Sequence, residues 1–72
     1  MRLYIELSFN SDGTNPLEIL DMMKELDFDP VVGKYDFAKD YETPEEYKNI
    51  VNELTETLKG TRVRYRLTTR KN

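Results

Sequence analysis

Thr61-Arg62-Val63-Arg64-Tyr65-Arg66-Leu67-Thr68-Thr69 alternates strictly between two kinds of side chain. In an extended strand successive side chains point to opposite sides. Val63, Tyr65 and Leu67 therefore share one face, and Arg62, Arg64 and Arg66 share the other. The apolar face requires a core to cover. The arginine face requires water, acidic partners or a polyanion. The stretch predicts a half-buried closing strand over 61–69, with Arg70, Lys71 and Asn72 fraying beyond it.

Just upstream, Gly60 reads as the left-handed cap that closes a helix. Thr43 caps the start of that helix, Pro44 takes its first position and Glu46 stands three after the cap, able to reach back to it. Tyr47, Ile50, Val51, Leu54 and Leu58 then recur at helical spacing, and Glu45, Lys48, Asn49, Asn52, Glu53 and Glu56 form the wet face. The same device appears earlier. Asn15, Pro16 and Glu18 start a helix ending near Leu26 or Asp27, with Leu17, Leu20 and Met23 or Lys24, together with Ile19, Met22 and Leu26, as a broad apolar stripe.

The chain opens with a second alternating stretch. Leu3, Ile5, Leu7 and Phe9 interleave with Arg2, Tyr4, Glu6 and Ser8, which predicts a strand over 1–9. Asn10 to Thr14 is a loop of turn formers, with Gly13 suited to positive φ. Residues 28–39 admit two readings. One is a pair of short strands, 28–32 and 35–39, joined by a two-residue type II′ turn at Gly33-Lys34. The other is one long strand with a bulge at Gly33. Pro30 cannot donate to a ladder, so its strand belongs at an edge.

The order is strand, helix, strand, strand, helix, strand. So short a chain has no second sheet, so both helices must cover one face of a single sheet. Right-handed crossovers then give an α+β, ferredoxin-like βαββαβ domain over residues 1–72, with a four-stranded antiparallel sheet of order 4-1-3-2. Ile5, Leu7, Val51 and Leu54 should be nearly fully buried, and Tyr65 largely so.

Composition narrows the function. Among 72 residues there is no Cys and no His. That removes disulfides, thiolate chemistry, the usual neutral-pH base and the commonest metal ligand. Ser8, Ser11 and Thr14 have no histidine to activate them. Asp12 in the Asn10–Asn15 loop lacks the spacing of a calcium loop. Asp27 with Asp29, and Asp40 with Glu42, read as solvated surface. No enzyme activity, cofactor or metal is expected. Apolar runs are too short to span a membrane, and no signal peptide is visible, so a cytoplasmic protein is expected. A core this small makes dimerisation a common way to gain stability.

The net charge of −3 conceals a split. Residues 1–61 carry 6 basic and 14 acidic side chains, and residues 62–72 carry 5 basic and no acidic ones. Such asymmetry points to an anionic partner or to self-association between oppositely charged surfaces. If Leu3, Ile5 and Leu7 face the helices, Tyr4 and Glu6 lie on the open face beside Arg62, Arg64 and Arg66. Tyr4 and those three arginines are the candidate anion- or partner-binding residues. Tyr4 could stack a base while the guanidiniums hold phosphates. Alternatively, Glu6 and Asp36 pair with the arginines and fill the face.

Leu3-Tyr4-Ile5-Glu6-Leu7 resembles the first-strand motif of the RNA-recognition motif family, with Tyr4 at its stacking position. Tyr35-Asp36-Phe37-Ala38 is similar to that family's third-strand motif, although here Gly33 precedes Lys34. Open Tyr35 and Phe37 would drive Asp36, Ala38 and Asp40 into the core, so both aromatics are expected to point inward. A second resemblance rests on Val32-Gly33-Lys34-Tyr35-Asp36-Phe37 and the Thr43-Pro44-Glu45-Glu46-Tyr47 helix start. These are similar to the sensing domains of Lrp/AsnC-type regulators and their ACT-like relatives. That resemblance implies a domain that dimerises through its sheet and binds small effectors at interfaces. Standalone versions without a DNA-binding helix–turn–helix exist in that family, and 72 residues are expected to leave no room for one. The expected role is a non-catalytic interaction or ligand-sensing domain that forms a homodimer. The alternative is a nucleic-acid-binding module that takes RNA or another polyanion on the arginine strand and open face.

Overall fold

Each helix begins where a short polar side chain meets a proline. In the computed structural model, which describes residues 1–71, Asn15 caps α1 (Pro16–Glu25). Its side-chain oxygen accepts the Leu17 N–H at 2.9 Å. Thr43 caps α2 (Pro44–Leu58), its hydroxyl accepting the Glu46 N–H at 3.1 Å. Proline suits both starts because a first-turn N–H has no helical partner to lose. The Glu46 carboxylate reaches back past the cap and accepts the Glu42 N–H at 3.3 Å. Glu18, expected to reach back in α1, is exposed.

The two helices end differently. Gly60, at φ 82°, follows α2 as expected. In α1 the left-handed residue is Asp27, at φ 63°. The Asp27 N–H donates to the Lys24 carbonyl, and the Phe28 N–H donates to the Met23 carbonyl. This is a Schellman closure, and its apolar partners, Met23 and Phe28, are both buried in the core. The Lys39 ammonium adds a cation at the same terminus, 2.6 Å from the Leu26 carbonyl.

Four strands form one antiparallel sheet: β1 (Arg2–Ser8), β2 (Asp29–Pro30), β3 (Phe37–Asp40) and β4 (Arg64–Arg70). Their order is β2-β3-β1-β4, the ferredoxin-like layout read from the other edge. Pro30 lies on one edge strand, where its missing N–H costs nothing, and the arginine strand forms the other edge.

Residues 28–39 do form two strands. Asp29 pairs with Ala38 and Pro30 with Phe37, the register that a turn at Gly33-Lys34 dictates. The strands are shorter than expected. The Val31 N–H still donates to the Asp36 carbonyl, but residues 32–35 leave the ladder. Gly33 takes φ 109° there.

The core is one cluster built on Leu3 and Ile5 of β1, Ile19 and Met23 of α1, Phe28, Phe37, and Ile50, Leu54 and Leu58 of α2. Three expected core residues sit less deeply. Leu7 is half-buried because β3 stops opposite Ile5, leaving that end of β1 flanked by β4 alone. Val51 is half-buried beside the stripe of Ile50, Leu54 and Leu58. Tyr65 is 37% exposed: it stands on an edge strand, its hydroxyl 3.3 Å from that of Thr55. Phe9, past the end of β1, and Leu17, in the first turn of α1, are also exposed.

The closing strand starts later and runs further than the alternation predicts. Thr61 is buried, Arg62 has φ 62°, and the ladder runs from Arg64 through Arg70. Arg70 is therefore paired rather than frayed, and Asn72 lies outside the described residues. Among the described residues no helix is long and apolar enough to cross a membrane.

Candidate binding face of the sheet

Strand pairing fixes which side chains share the face turned away from the helices. Leu3 and Ile5 are buried against the helices, so Arg2, Tyr4, Glu6 and Ser8 project the other way. Directly paired residues point to the same side. The open face is thus a set of rows. Asp40, Arg2 and Arg70 form the first row. Asp29, Ala38, Tyr4 and Thr68 form the second. Glu6 and Arg66 form the third, and Ser8 and Arg64 the fourth. Asp29 and Asp40 lie on β2 and β3, Arg2 and Glu6 on β1, and Arg64, Arg66 and Arg70 line β4.

Of the four predicted site residues, Tyr4, Arg64 and Arg66 share this face. Arg62 does not. The left-handed turn at Arg62 takes it out of the alternation, and its guanidinium bonds Asp12 at 2.7 Å. Asn10 Nδ2 holds the Arg62 carbonyl at 3.1 Å, which fixes the turn to the loop between β1 and α1. Three arginines do lie on this face of β4, but they are Arg64, Arg66 and Arg70.

The acids expected to satisfy them are engaged differently. Asp36 turns its carboxylate into the ladder, where it accepts the Leu7 N–H at 2.7 Å. Glu6 stands opposite Arg66 without forming an ion pair. Among the described residues the ion pairs are Arg2–Asp40, at 3.2 Å, and Arg62–Asp12. Arg64 and Arg66 are exposed and border a shallow depression of about 300 Å³ with Glu6, Ser8 and Tyr65.

The aromatic content differs from expectation in one residue. Phe37 points inward and is buried. Tyr35 instead lies against Tyr4, ring centroids 4.7 Å apart, and its hydroxyl accepts from Arg70 Nη2 at 3.2 Å. Tyr35 escapes the strand's alternation because it precedes β3, so its ring folds back over the open face. Arg2 lies 5.8 Å from the Tyr4 ring centroid, and Lys34 and Arg70 lie 5.7 and 5.8 Å from that of Tyr35. Ala38, opposite Tyr4 on this face, is fully buried.

Sequence reasoning did not include Asp29, Tyr35, Asp40 and Arg70 in the face. The register of the Gly33-Lys34 hairpin would have placed Asp29, since it sets Asp29 beside Ala38 and so beside Tyr4. No comparable signal marks Tyr35, whose position depends on where the ladder opens. A second hollow, of about 510 Å³, lies between Phe9 and Pro16 and has no charged side chain in its lining. Among the described residues no three Asp or Glu side chains are grouped to hold a metal ion. No family model, curated protein or solved structure matches the chain.

Proposed function

We propose that the chain is a small non-catalytic interaction domain that self-associates through the open face of its sheet. One observation carries this reading: Arg64 and Arg66 project from that face with no carboxylate paired to them among the described residues. Adjacent like charges repel, so acid from outside the monomer is the natural complement. A second copy has that acid to give, because the chain as a whole is net negative. The face itself mixes both signs around a half-buried tyrosine pair, as a self-complementary surface must.

A single-stranded nucleic acid is the competing occupant. Tyr4 and Tyr35, with cations over their rings, would suit it. Glu6, Asp29 and Asp40 on the same face would repel its phosphates, which favours a protein surface carrying arginines of its own.

The test is the mass in solution across a concentration series, at about 50 mM and about 500 mM salt, with and without a mixed-sequence single-stranded RNA. The mass should climb toward twice that of the chain, less so at high salt, with little RNA bound. Tight RNA binding, lost in Tyr4→Ala and with a salt slope about one unit shallower in Arg64→Ala, would install the nucleic-acid reading instead.

A further inference from the structure

The charges on the open face are sorted across the strands, and that direction constrains how two copies can meet. Asp29 on β2 and Asp40 on β3, the latter ion-paired to Arg2 of β1, occupy one side, and Arg64, Arg66 and Arg70 on β4 occupy the other. Glu6 and the Tyr4–Tyr35 pair lie between. Two sheets stacked face to face by a two-fold axis have two simple arrangements. With the axis perpendicular to the strands, β4 lies over β4 and arginine meets arginine. With the axis parallel to the strands, β4 of each copy lies over β2 of the other and β1 over β3, and the β4 arginines meet Asp29.

From this we infer that the chain forms an isologous dimer whose two-fold axis runs along the strands, near β1 and β3, with the open faces opposed. The inference rests on the self-association reading and supplies its geometry. Asp29 shares a row with Tyr4 and Thr68, and Arg66 and Arg70 stand two residues to either side of Thr68, about 6.8 Å along the strand. Arg70 is held by the Tyr35 hydroxyl, which leaves Arg66 free to reach across. An extended arginine side chain spans that offset. Each copy then gives Arg66 to the partner's Asp29 and receives the partner's Arg66 on its own Asp29. The two contacts are equivalent by symmetry. Antiparallel edge-to-edge pairing is the other kind of symmetric option. Two β4 strands would set arginines against one another, and β2 is two residues long and carries Pro30, which cannot donate to a ladder.

The size of the face sets the strength. Four strands about 4.8 Å apart, and no more than seven residues long, give a footprint of roughly 400 Å². Stable partners bury about 800 Å² each, so the dimer belongs to the weak, transient class. It should be sought at concentrations up to about 1 mM, the top of the range of weak dissociation constants.

The experiment uses two variants, Arg64→Glu/Arg66→Glu and Asp29→Lys, each checked for an unchanged circular dichroism spectrum and cooperative melting. All the altered side chains are exposed. Each variant alone should dimerise at least about tenfold more weakly than the parent, because both symmetric contacts become like-charged. An equimolar mixture should regain a dimer, since glutamates of one then face the lysine of the other while the native arginine–aspartate contact persists on the second side. Failure of the mixture to associate, with a dimeric parent, would sink the inferred axis and leave self-association standing. So would an Arg64→Glu/Arg66→Glu chain that pairs with the parent more tightly than the parent pairs with itself, since that result places β4 over β4. A parent that stays monomeric at about 1 mM would overturn both readings together.

Discussion

Thr61 shows how one side chain can end an alternating pattern. Its hydroxyl donates to the Leu58 carbonyl at 2.6 Å and accepts the Val63 N–H at 3.3 Å. Its carbonyl accepts the Thr14 N–H. It thereby closes α2 and pins the β1–α1 loop. That loop needs Gly13 for closeness rather than for positive φ, since a Cβ there would sit 2.8 Å from the Thr61 carbonyl oxygen. The alternation from Thr61 onward hides all of this, because threonine is as good in a strand as in a cap. The consequence reaches Arg62, which is the site residue misplaced by sequence reasoning. Thr61→Val keeps the shape and removes the hydroxyl. It should cost about 1–3 kcal/mol in denaturant unfolding, because the buried Leu58 carbonyl loses a donor and the Val63 N–H an acceptor. Thr61→Ser should retain most of the parent stability. Equal losses in the two variants would mean that the methyl group matters and the hydroxyl does not.

Among elements, the helices were the most legible. A polar cap, a proline and an apolar stripe agree at three levels, and both helices start where those signals coincide. Strand order was legible because so few topologies join these elements without a crossing. Strand length was not. β2 and β3 end where Val32 to Tyr35 leave the ladder, and local composition does not determine how far a hairpin opens. The end of α1 carries its own prediction. Asp27 adopts the left-handed conformation that glycine takes with less strain, although aspartate tolerates it better than most residues. Its carboxylate also stands beside the negative end of the helix dipole. Asp27→Gly should therefore raise unfolding free energy by about 0.5–1 kcal/mol and slow amide exchange in the last turn of α1. A loss of similar size would show that glycine's extra freedom in the unfolded chain outweighs the strain it relieves.

At the scale of the whole molecule, the charges separate into an acidic helical layer and a basic strand edge, yet little of that separation holds the fold together. The ion pairs among the described residues, Arg2–Asp40 and Arg62–Asp12, are both open to solvent. Exposed pairs contribute about 0–1 kcal/mol and are screened by salt. The fold rests instead on the apolar cluster between the helices and β1. Electrostatics should therefore act between copies more than within one, which separates two melting behaviours. In dilute solution, where the proposed dimer would dissociate, raising salt from about 50 mM to about 500 mM should move Tm by only a few degrees, the shift that about 1 kcal/mol produces in a domain of this size. In concentrated solution at low salt, Tm should be higher than in dilute solution, because association draws the equilibrium toward the folded chain. High salt should erase that gap while leaving the dilute Tm nearly in place. The measurement is a melting series over two protein and two salt concentrations. A dilute Tm that falls steeply with salt would locate the arginines' partners inside the monomer. A concentration gap that survives high salt would mean that apolar contact around Tyr4 and Tyr35, rather than charge, holds the copies together.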